Sequence, residues 1–285
     1  MKISENLFDR IGFCNLDDCS FYENEINRWQ EWLDNGNAAG LEYMKQRKKP
    51  AELLENAHGA VVCLLNYYTP ESRYIARYAR GKDYHYIMWE KLNALAKELG
   101  LAENEYVACC DTMPVLERAL AAKAGLGWIG RNNCLINKEL GSFCFIGTLL
   151  TTQHYDNPDV VRNSCGNCHK CIDNCPAGAL SDHNLDCRKC LSYRTIESRE
   201  PLTPEEARHG IVFGCDRCQE VCPLAMTQKE TPLSFFKSDL IPFLTAKDLV
   251  SLPDEEFSKR AYGWRKKEVL LRNLRLREDK EKNGK

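Results

Sequence analysis

A cysteine-rich stretch between residues 165 and 222 constrains the fold of this chain more than any other feature. It reads CGNCHKCIDNCP from residue 165, DCRKC from residue 186 and GCDRCQEVCP from residue 214. The first motif has the C-x2-C-x2-C-x3-C-P spacing with which bacterial ferredoxins bind [4Fe–4S] clusters. The last motif repeats the second half of that spacing, and its first cysteine is displaced upstream to Cys190 or Cys187. The stretch therefore predicts two [4Fe–4S] clusters.

The same spacing predicts which thiolates hold each cluster. Cysteines two residues apart can reach neighbouring irons, and in two-cluster ferredoxins the fourth ligand comes from the other motif. We therefore assign one cluster to Cys165, Cys168, Cys171 and Cys222. We assign the other to Cys190, Cys215, Cys218 and Cys175. Structural zinc and disulfides are the alternatives, but a repeated cysteine triplet that ends in Cys-Pro is far more common in ferredoxins.

Composition and hydropathy indicate the cellular location of the protein. With 285 residues, 44% hydrophobic and 28% charged, it is globular and long enough for one large domain or two ordinary ones. It has no apolar run of about eighteen residues and no export signal at its start, so we expect a cytoplasmic protein without a membrane anchor. Thiols stay reduced in the cytoplasm, and the 16 cysteines are therefore no disulfide scaffold.

Hydrophobic periodicity outlines three parts. Apolar strand-like runs alternate with helical patterns up to about residue 152, which predicts an α/β (α+β) domain around a central sheet. We place this domain at residues 1–155, a ferredoxin-like domain with both clusters at 156–228, and a helical C-terminal segment at 229–285. In the first part, Asp111 precedes Thr112, Met113 and Pro114, a pattern typical of a helix start with Asp111 or Thr112 as its cap.

The C-terminal segment is basic, although the whole chain has a net charge of −2. From Lys259 to Lys285 there are eleven Lys/Arg and four Asp/Glu, a net charge of +7 against −9 for the remainder. The cations lie beside Leu270, Leu271 and Leu274 in an amphipathic helical pattern. They are candidates for phosphate contacts to RNA, and the alternative is a docked surface helix with solvated charges.

Five segments resemble the epoxyqueuosine reductase family. They are LNYY (65–68), ARYARGKDYH (76–85), DTMPVLERALAAKAGLGWIGRNNCLIN (111–137), GSFCFIG (141–147) and DCRKCLSYRTIE (186–197) leading to IVFGCDRCQEVCP (211–223). The resemblance covers roughly residues 40 to 225 and is specific because these motifs follow one another in the family's order. It implies a nitroreductase-like, cobalamin-binding domain before the clusters, and reduction of epoxyqueuosine to queuosine at the wobble position of tRNA, the last step of queuosine biosynthesis.

The resemblance also implies roles for individual residues. Asp111 matches the family's proton donor, for which burial would have to keep its carboxyl protonated. The candidate cobalamin contacts are Arg77, Tyr78, Tyr84, His85, Asp111, Trp128, Arg131, Asn132 and Ser142. The candidate tRNA contacts are Lys266, Lys267 and Arg272. For any one of the cobalamin or tRNA contacts taken singly, a structural role is the stronger expectation.

We therefore expect a monomeric oxidoreductase with two [4Fe–4S] clusters and cobalamin. Its partners would be the anticodon stem-loop of tRNA and a low-potential electron donor of unknown identity. Two other classes fit parts of the sequence. One is a related cobalamin and iron–sulfur reductase of the reductive-dehalogenase kind, and the other is a non-catalytic, ferredoxin-like electron carrier.

Overall fold

The structure is a computed structural model, and it describes residues 4, 6–18, 20–70, 74–159, 161–162, 165–224, 228–241 and 244–283. The strands are β1 (Arg10–Asn15), β2 (Gly59–Asn66), β3 (Tyr106–Cys109), β4 (Trp128–Ile129), β5 (Leu135–Ile136), β6 (Cys144–Thr151), β7 (Leu180–Ser181) and β8 (Asn184–Leu185). The helices of the first half are α1 (Ser20–Asp34), α2 (Tyr84–Glu98) and α3 (Glu117–Lys123). Those of the second half are α4 (Lys170–Asp173), α5 (Leu191–Ile196), α6 (Pro204–Ala207), α7 (Arg217–Glu220), α8 (Ser234–Lys237), α9 (Ala246–Ser251), α10 (Asp254–Ser258) and α11 (Lys267–Asn283). None of the helices in these segments is both long and apolar enough to cross a bilayer.

A four-stranded sheet with the order β1-β2-β6-β3 forms the centre of the first part. All of its pairings are antiparallel, with Gly59 opposite both Asn15 and Thr151. The end of β1, the start of β2 and the end of β6 therefore meet at one end of the sheet, here called the far end. The start of β6 and the end of β3 point to the opposite end of the sheet, where the cavity lies.

Helices cover both faces of this sheet, because β2 is apolar along its whole length. Val61, Cys63 and Leu65 pack on one face in a cluster with Met88 and Leu92 of α2. On the other face, Ala60, Val62 and Leu64 pack in a cluster with Leu120 and Ala121 of α3. A Cβ at Gly147 would lie 2.5 Å from Met88 Sδ, so only glycine lets α2 approach β6 this closely. The result is the predicted mixed α/β fold.

The C-terminal helices pack on the cluster part and on the first part. Leu270 and Leu274 of α11 are fully buried with Tyr74, Phe213 and Tyr262. Phe236 of α8 lies in the same core as β2 and α2. The predicted helical character beyond residue 224 is confirmed for the described residues.

The predicted helix start at Asp111 is wrong. Helix α3 begins six residues later, at Glu117, and its cap position is Leu116. Asp111 instead has a positive φ of 57°, which belongs to a turn and not to a helix cap.

Candidate active site

Asp111 lies in a turn two residues beyond the end of β3. Its carboxylate is exposed, with 68% of the side chain accessible, and it lines the cavity. Its backbone N–H donates to both carboxylate oxygens of Glu117, at 3.0 and 3.1 Å. Glu117 thus fixes a turn whose positive φ costs a non-glycine residue free energy. The burial expected to protonate Asp111 is not provided by the protein itself.

Two aromatic residues at the start of α2 approach the Asp111 carboxylate. Tyr84 Oη donates to Asp111 Oδ2 at 2.8 Å, and its ring stacks on Phe145 with centroids 3.9 Å apart. His85 Nε2 lies 3.9 Å from the same oxygen, while His85 Nδ1 lies 2.7 Å from Asp83 Oδ1. Burial, followed by the charge of Asp111, raises the pKa of Tyr84, so the phenol remains a proton donor. This pair orients the carboxylate towards the cavity.

Glu117 is a second carboxyl group at this turn. Burial raises its pKa to about 8, and the nearby charge of Asp111 adds to the effect against the opposing Arg47 and Arg118. Near neutral pH Glu117 therefore holds its proton. The site thus combines a buried, protonated Glu117 with the exposed carboxylate of Asp111 on the same turn.

The cavity has a volume of about 730 Å³, in the range of pockets for large organic ligands. Side chains from α1, α3, the start of β6 and the β7–β8 hairpin line it. Among its lining residues, Trp29 Nε1, Arg47 Nε and Asn133 Nδ2 are buried donors without a hydrogen-bond partner within the described parts of the chain. Buried donors need acceptors, so the cavity suits a ligand rich in carbonyl oxygens.

Five of the nine predicted cofactor contacts fall into two groups. Tyr84 and Asp111 line the cavity. Three others contact the cluster motifs: Trp128 Nε1 donates to Cys165 Sγ at 3.4 Å, Arg131 Nη1 to Gly166 O at 2.6 Å, and Asn132 Nδ2 to Cys218 O at 3.5 Å. These three side chains join the β4–β5 region to both cysteine motifs.

Of the remaining predicted contacts, Arg77 and Ser142 are buried, and Tyr78 is partly buried, as is His85 beside Asp111. Arg77 forms ion pairs with Asp216 at 3.2 Å and with Glu220 at 2.8 Å. Both acids lie between cysteines of the second motif. Tyr78 packs against the cores of the first part and of the C-terminal helices, and burial raises its pKa. Ser142 Oγ is buried without a partner among the described atoms.

Seven of the eight predicted cluster cysteines gather in two groups. The pKa of Cys171 is raised mainly by burial and further by the nearby Cys165 and Cys168. The pKa of Cys215 is raised to about 12, again mainly by burial and further by Cys190 and Cys175. Helices α4 and α7 of the two motifs pack together, and the Ala179 N–H donates to Cys175 Sγ at 3.3 Å, a contact typical of cluster thiolates.

Two further cysteines adjoin the second group. Cys187 is buried, and burial, with a further contribution from the nearby Cys190, raises its pKa to about 12. The thiol of Cys134 lies against Cys218, and this contact lowers its pKa. These neighbours favour Cys190 over Cys187 as a ligand of the second predicted cluster.

The three predicted tRNA contacts differ in their surroundings. Lys266 is exposed. Lys267 Nζ binds Asp254 Oδ1 and Leu252 O, each at 2.6 Å. The Arg272 guanidinium donates to the carbonyls of Arg194, Ser198, Arg199 and Glu200 at 3.0–3.5 Å. Arg272 thus holds α11 against the segment that follows α5.

Several residues of the site were not predicted from the sequence. Glu117 lies among apolar residues at helical spacing, and this pattern gives no sign of a buried acid. Tyr43 lines the cavity and is 58% exposed, and its hydroxyl donates to Glu197 Oε1 at 3.2 Å. Trp264 is 59% exposed, and the guanidinium of Arg265 lies over its ring. Arg265 Nη2 donates to Glu197 O at 3.3 Å, so Tyr43 and Arg265 both contact Glu197. No spacing rule connects positions this far apart in the sequence.

Comparison with known proteins identifies the family. Residues 164–225 match the 4Fe-4S double cluster binding domain, and residues 47–112 match the model described as Epoxyqueuosine reductase QueG. An epoxyqueuosine reductase from Leadbetterella byssophila is 36% identical over 285 residues, covering 93% of each chain. The chain belongs to the epoxyqueuosine reductase family. One from Synechococcus is 37% identical over 78% of this chain and 73% of its own.

Solved epoxyqueuosine reductase structures share the fold. The one from Streptococcus thermophilus is 29% identical, with a TM-score of 0.78 over 95% of this chain and 77% of its own. An epoxyqueuosine reductase solved with an epoxyqueuosine-modified tRNA-Tyr stem loop is 26% identical, with a TM-score of 0.80 over the same shares. The predicted epoxyqueuosine reductase family, mixed α/β fold and pair of [4Fe–4S] clusters are thereby confirmed.

Proposed function

We propose that this protein reduces epoxyqueuosine to queuosine at the wobble position of tRNA, with electrons from two [4Fe–4S] clusters. The observation that carries the proposal is that Asp111, held by Tyr84 and Glu117, lines a large cavity whose wall includes the β7–β8 hairpin between the two cysteine motifs. The relatives named epoxyqueuosine reductase support the substrate. The proposal includes a low-potential electron donor, a cytoplasmic location and action as a monomer.

Asp111 would supply a proton to the departing oxygen. Removing the epoxide oxygen as water takes two electrons and two protons, and leaves the carbon–carbon double bond of queuosine. The clusters supply the electrons one at a time. The Asp111 carboxyl can deliver one proton directly, and Tyr84 Oη holds the carboxylate at the position from which it would do so.

Cobalamin is the proposed second cofactor, and the cavity fits it. When bound, cobalamin would supply a cobalt centre that passes reducing equivalents to the substrate. Its peripheral amide groups offer carbonyl acceptors for the unpartnered donors of Trp29, Arg47 and Asn133. A corrin and a nucleoside in the cavity would also cover Asp111 and favour its protonated form by excluding water.

The tRNA would reach the cavity across the surface that joins Tyr43 to the start of α11. Exposed Tyr43 and Trp264 offer rings on which nucleobases can stack, and Arg265 beside Trp264 adds positive charge. Lys266 and Arg275 are exposed cations of the same basic segment. The solved relative with a tRNA stem loop supports this kind of partner.

The test is turnover of an epoxyqueuosine-modified anticodon stem-loop by anaerobically purified protein, with and without cobalamin and a chemical reductant. We expect queuosine formation only with cobalamin. Asp111→Asn should keep both clusters and cobalamin binding and lose about 10²–10⁴-fold in turnover, the usual contribution of a positioned acid. Asp156→Asn, an exposed aspartate, is the matched control and should turn over normally. Cobalamin-independent turnover would contradict the cofactor proposal, and normal turnover by Asp111→Asn would remove Asp111 from the chemistry.

A further inference from the structure

Three potential metal ligands meet at the far end of the central sheet, away from the cavity. Asp17 follows β1, His58 immediately precedes β2, and His154 follows β6. His58 Nδ1 lies 2.7 Å from Asp17 Oδ1, and His154 Nδ1 lies 2.9 Å from Asp17 Oδ2. Their ligand atoms all lie within 4.8 Å of one another. We propose that Asp17, His58 and His154 form a binding site for a divalent transition metal such as Zn²⁺, separate from the clusters.

The sheet itself holds the backbone of the first two residues. The Leu16 N–H donates to His58 O at 2.9 Å, and the His58 N–H donates to Thr151 O at 2.9 Å, so the ladder continues past the strand ends. Asn15 fixes the carboxylate, because its Nδ2 donates to Asp17 Oδ2 at 3.1 Å and its Oδ1 accepts from the Asp17 N–H at 2.7 Å. These contacts orient Asp17 before any ligand arrives.

The third residue is held by close packing against glycine. A Cβ on Gly59 would lie 2.4 Å from Gln153 O and 2.5 Å from Tyr155 Cδ2, so the segment that carries His154 can approach β2 only at a glycine. Tyr155 also packs on Phe13 of β1, with ring centroids 5.0 Å apart. His154 thus sits over β1 and β2 although it follows β6.

The donor set has the chemistry of a transition-metal site. Two imidazole nitrogens and one carboxylate suit Zn²⁺ and its neighbours, which bind nitrogen ligands at about 2.0–2.1 Å. Ligand atoms around a tetrahedral zinc ion lie about 3.3–3.4 Å apart. The His–Asp separations of 2.7 and 2.9 Å found here are hydrogen-bond contacts, which would lengthen by about 0.5 Å around a bound ion. The two rings stack with centroids 4.2 Å apart, so both Nδ1 atoms face the same carboxylate. All three side chains are partly exposed, which leaves room for water or a fourth ligand.

Zinc titration of the cluster-loaded protein tests this proposal. Anaerobic calorimetry with Zn²⁺ should show one saturable site in the wild type, with the iron content unchanged afterwards. Asp17→Asn, His58→Gln and His154→Gln should each weaken zinc binding by more than about tenfold, since even changes to residues behind the ligands cost that much. His209→Gln removes an exposed histidine outside the site and should bind zinc like the wild type.

A second readout does not depend on heat of binding. A metal that binds only the folded chain raises its melting temperature, so zinc should stabilise the wild type and His209→Gln, and not the three site variants. An absence of saturable zinc binding to the wild type would overturn the proposal. So would site variants that bind zinc undiminished, or a loss in His209→Gln as large as theirs, which would indicate scattered surface binding only.

Discussion

At the scale of single residues, Glu117 links the stability of the fold to the geometry of the Asp111 turn. Its pKa is raised to about 8, mainly by burial, from an ordinary value near 4.5. Between these two values the folded chain keeps a proton that the unfolded chain releases. Glu117 therefore makes the fold progressively less stable as pH rises from about 4.5 to about 8.

Glu117→Gln should remove this pH dependence. The amide oxygen of Gln can still accept the Asp111 N–H, so the turn keeps its bond while the titrating group is gone. We expect the variant and the wild type to melt alike near pH 4.5, and the variant to melt higher above about pH 8. Thermal unfolding at several pH values, followed by circular dichroism, measures the difference. Parallel profiles would mean that Glu117 titrates normally in the folded chain.

The choice between Cys190 and Cys187 is also decided by single residues. Cys190 neighbours Cys175 and Cys215, whereas Cys187 is buried behind Cys190 with its backbone N–H bonded to Asn37 O. Cys190→Ser should therefore lower the iron content from about eight towards four atoms per chain, and Cys187→Ser should leave about eight. Iron analysis of anaerobically purified protein makes the comparison. The reverse result would exchange the two assignments.

At the scale of elements, helix α11 combines a docked face with an exposed basic face. Leu270, Leu274 and Arg272 contact the body, whereas Lys266 and Arg275 are exposed. We expect Lys266→Gln with Arg275→Gln to weaken binding of tRNA and to flatten its salt dependence, because fewer counterions are displaced. Filter binding at several salt concentrations measures both effects, and the melting temperature should not move.

Arg272→Met is the matched comparison on the same helix. It removes donors from backbone carbonyls at residues 194–200 and should destabilise the fold by about 1–3 kcal/mol. Its effect on the salt slope of tRNA binding should be smaller than that of the double variant. Equal salt slopes for the wild type and the Lys266/Arg275 double variant would leave α11 as a structural helix only.

How far the elements could be predicted from sequence depended on whether the signal was local. The alternation of apolar strand-like runs with helical patterns, to which β2 and α2 belong, and the amphipathic pattern of α11 are local signals, and the predictions from them agree with the structure. The Asp111 turn misled the prediction because Asp and Thr before Pro are typical of a helix start, while a positive φ leaves no mark in the sequence. The contacts of Asp17 with His58 and His154 depend on strand register, which periodicity does not reveal.

At the scale of the whole molecule, Arg77 joins the first part of the chain to the cluster motifs. Its side chain is 7% exposed and pairs with Asp216 and Glu220, and it also donates to Thr69 O at 2.9 Å. Removing one partner of a buried ion pair leaves the others uncompensated and commonly costs about 3–5 kcal/mol. The arginine is thus a structural connection between the cavity side and the cluster side.

Arg77→Met should lower the melting temperature and reduce the amount of iron retained after purification. Arg217→Met provides the control, because Arg217 approaches the same Glu220 at 3.7 Å but is 61% exposed. An exposed pair contributes only about 0–1 kcal/mol, so this control should behave like the wild type. Iron analysis and thermal unfolding of both variants separate the two cases. Equal behaviour of Arg77→Met and the wild type would show that the buried pair does not hold the two parts together.

The Arg77 pairing also limits how this protein can be recombined. Its guanidinium comes from the first part, and its carboxylates lie between cysteines of the second cluster motif. A chimera that took the first part from one relative and the cluster part from a protein without these acids would bury an unpaired cation. The two parts are therefore not exchangeable modules, and they are expected to be inherited together.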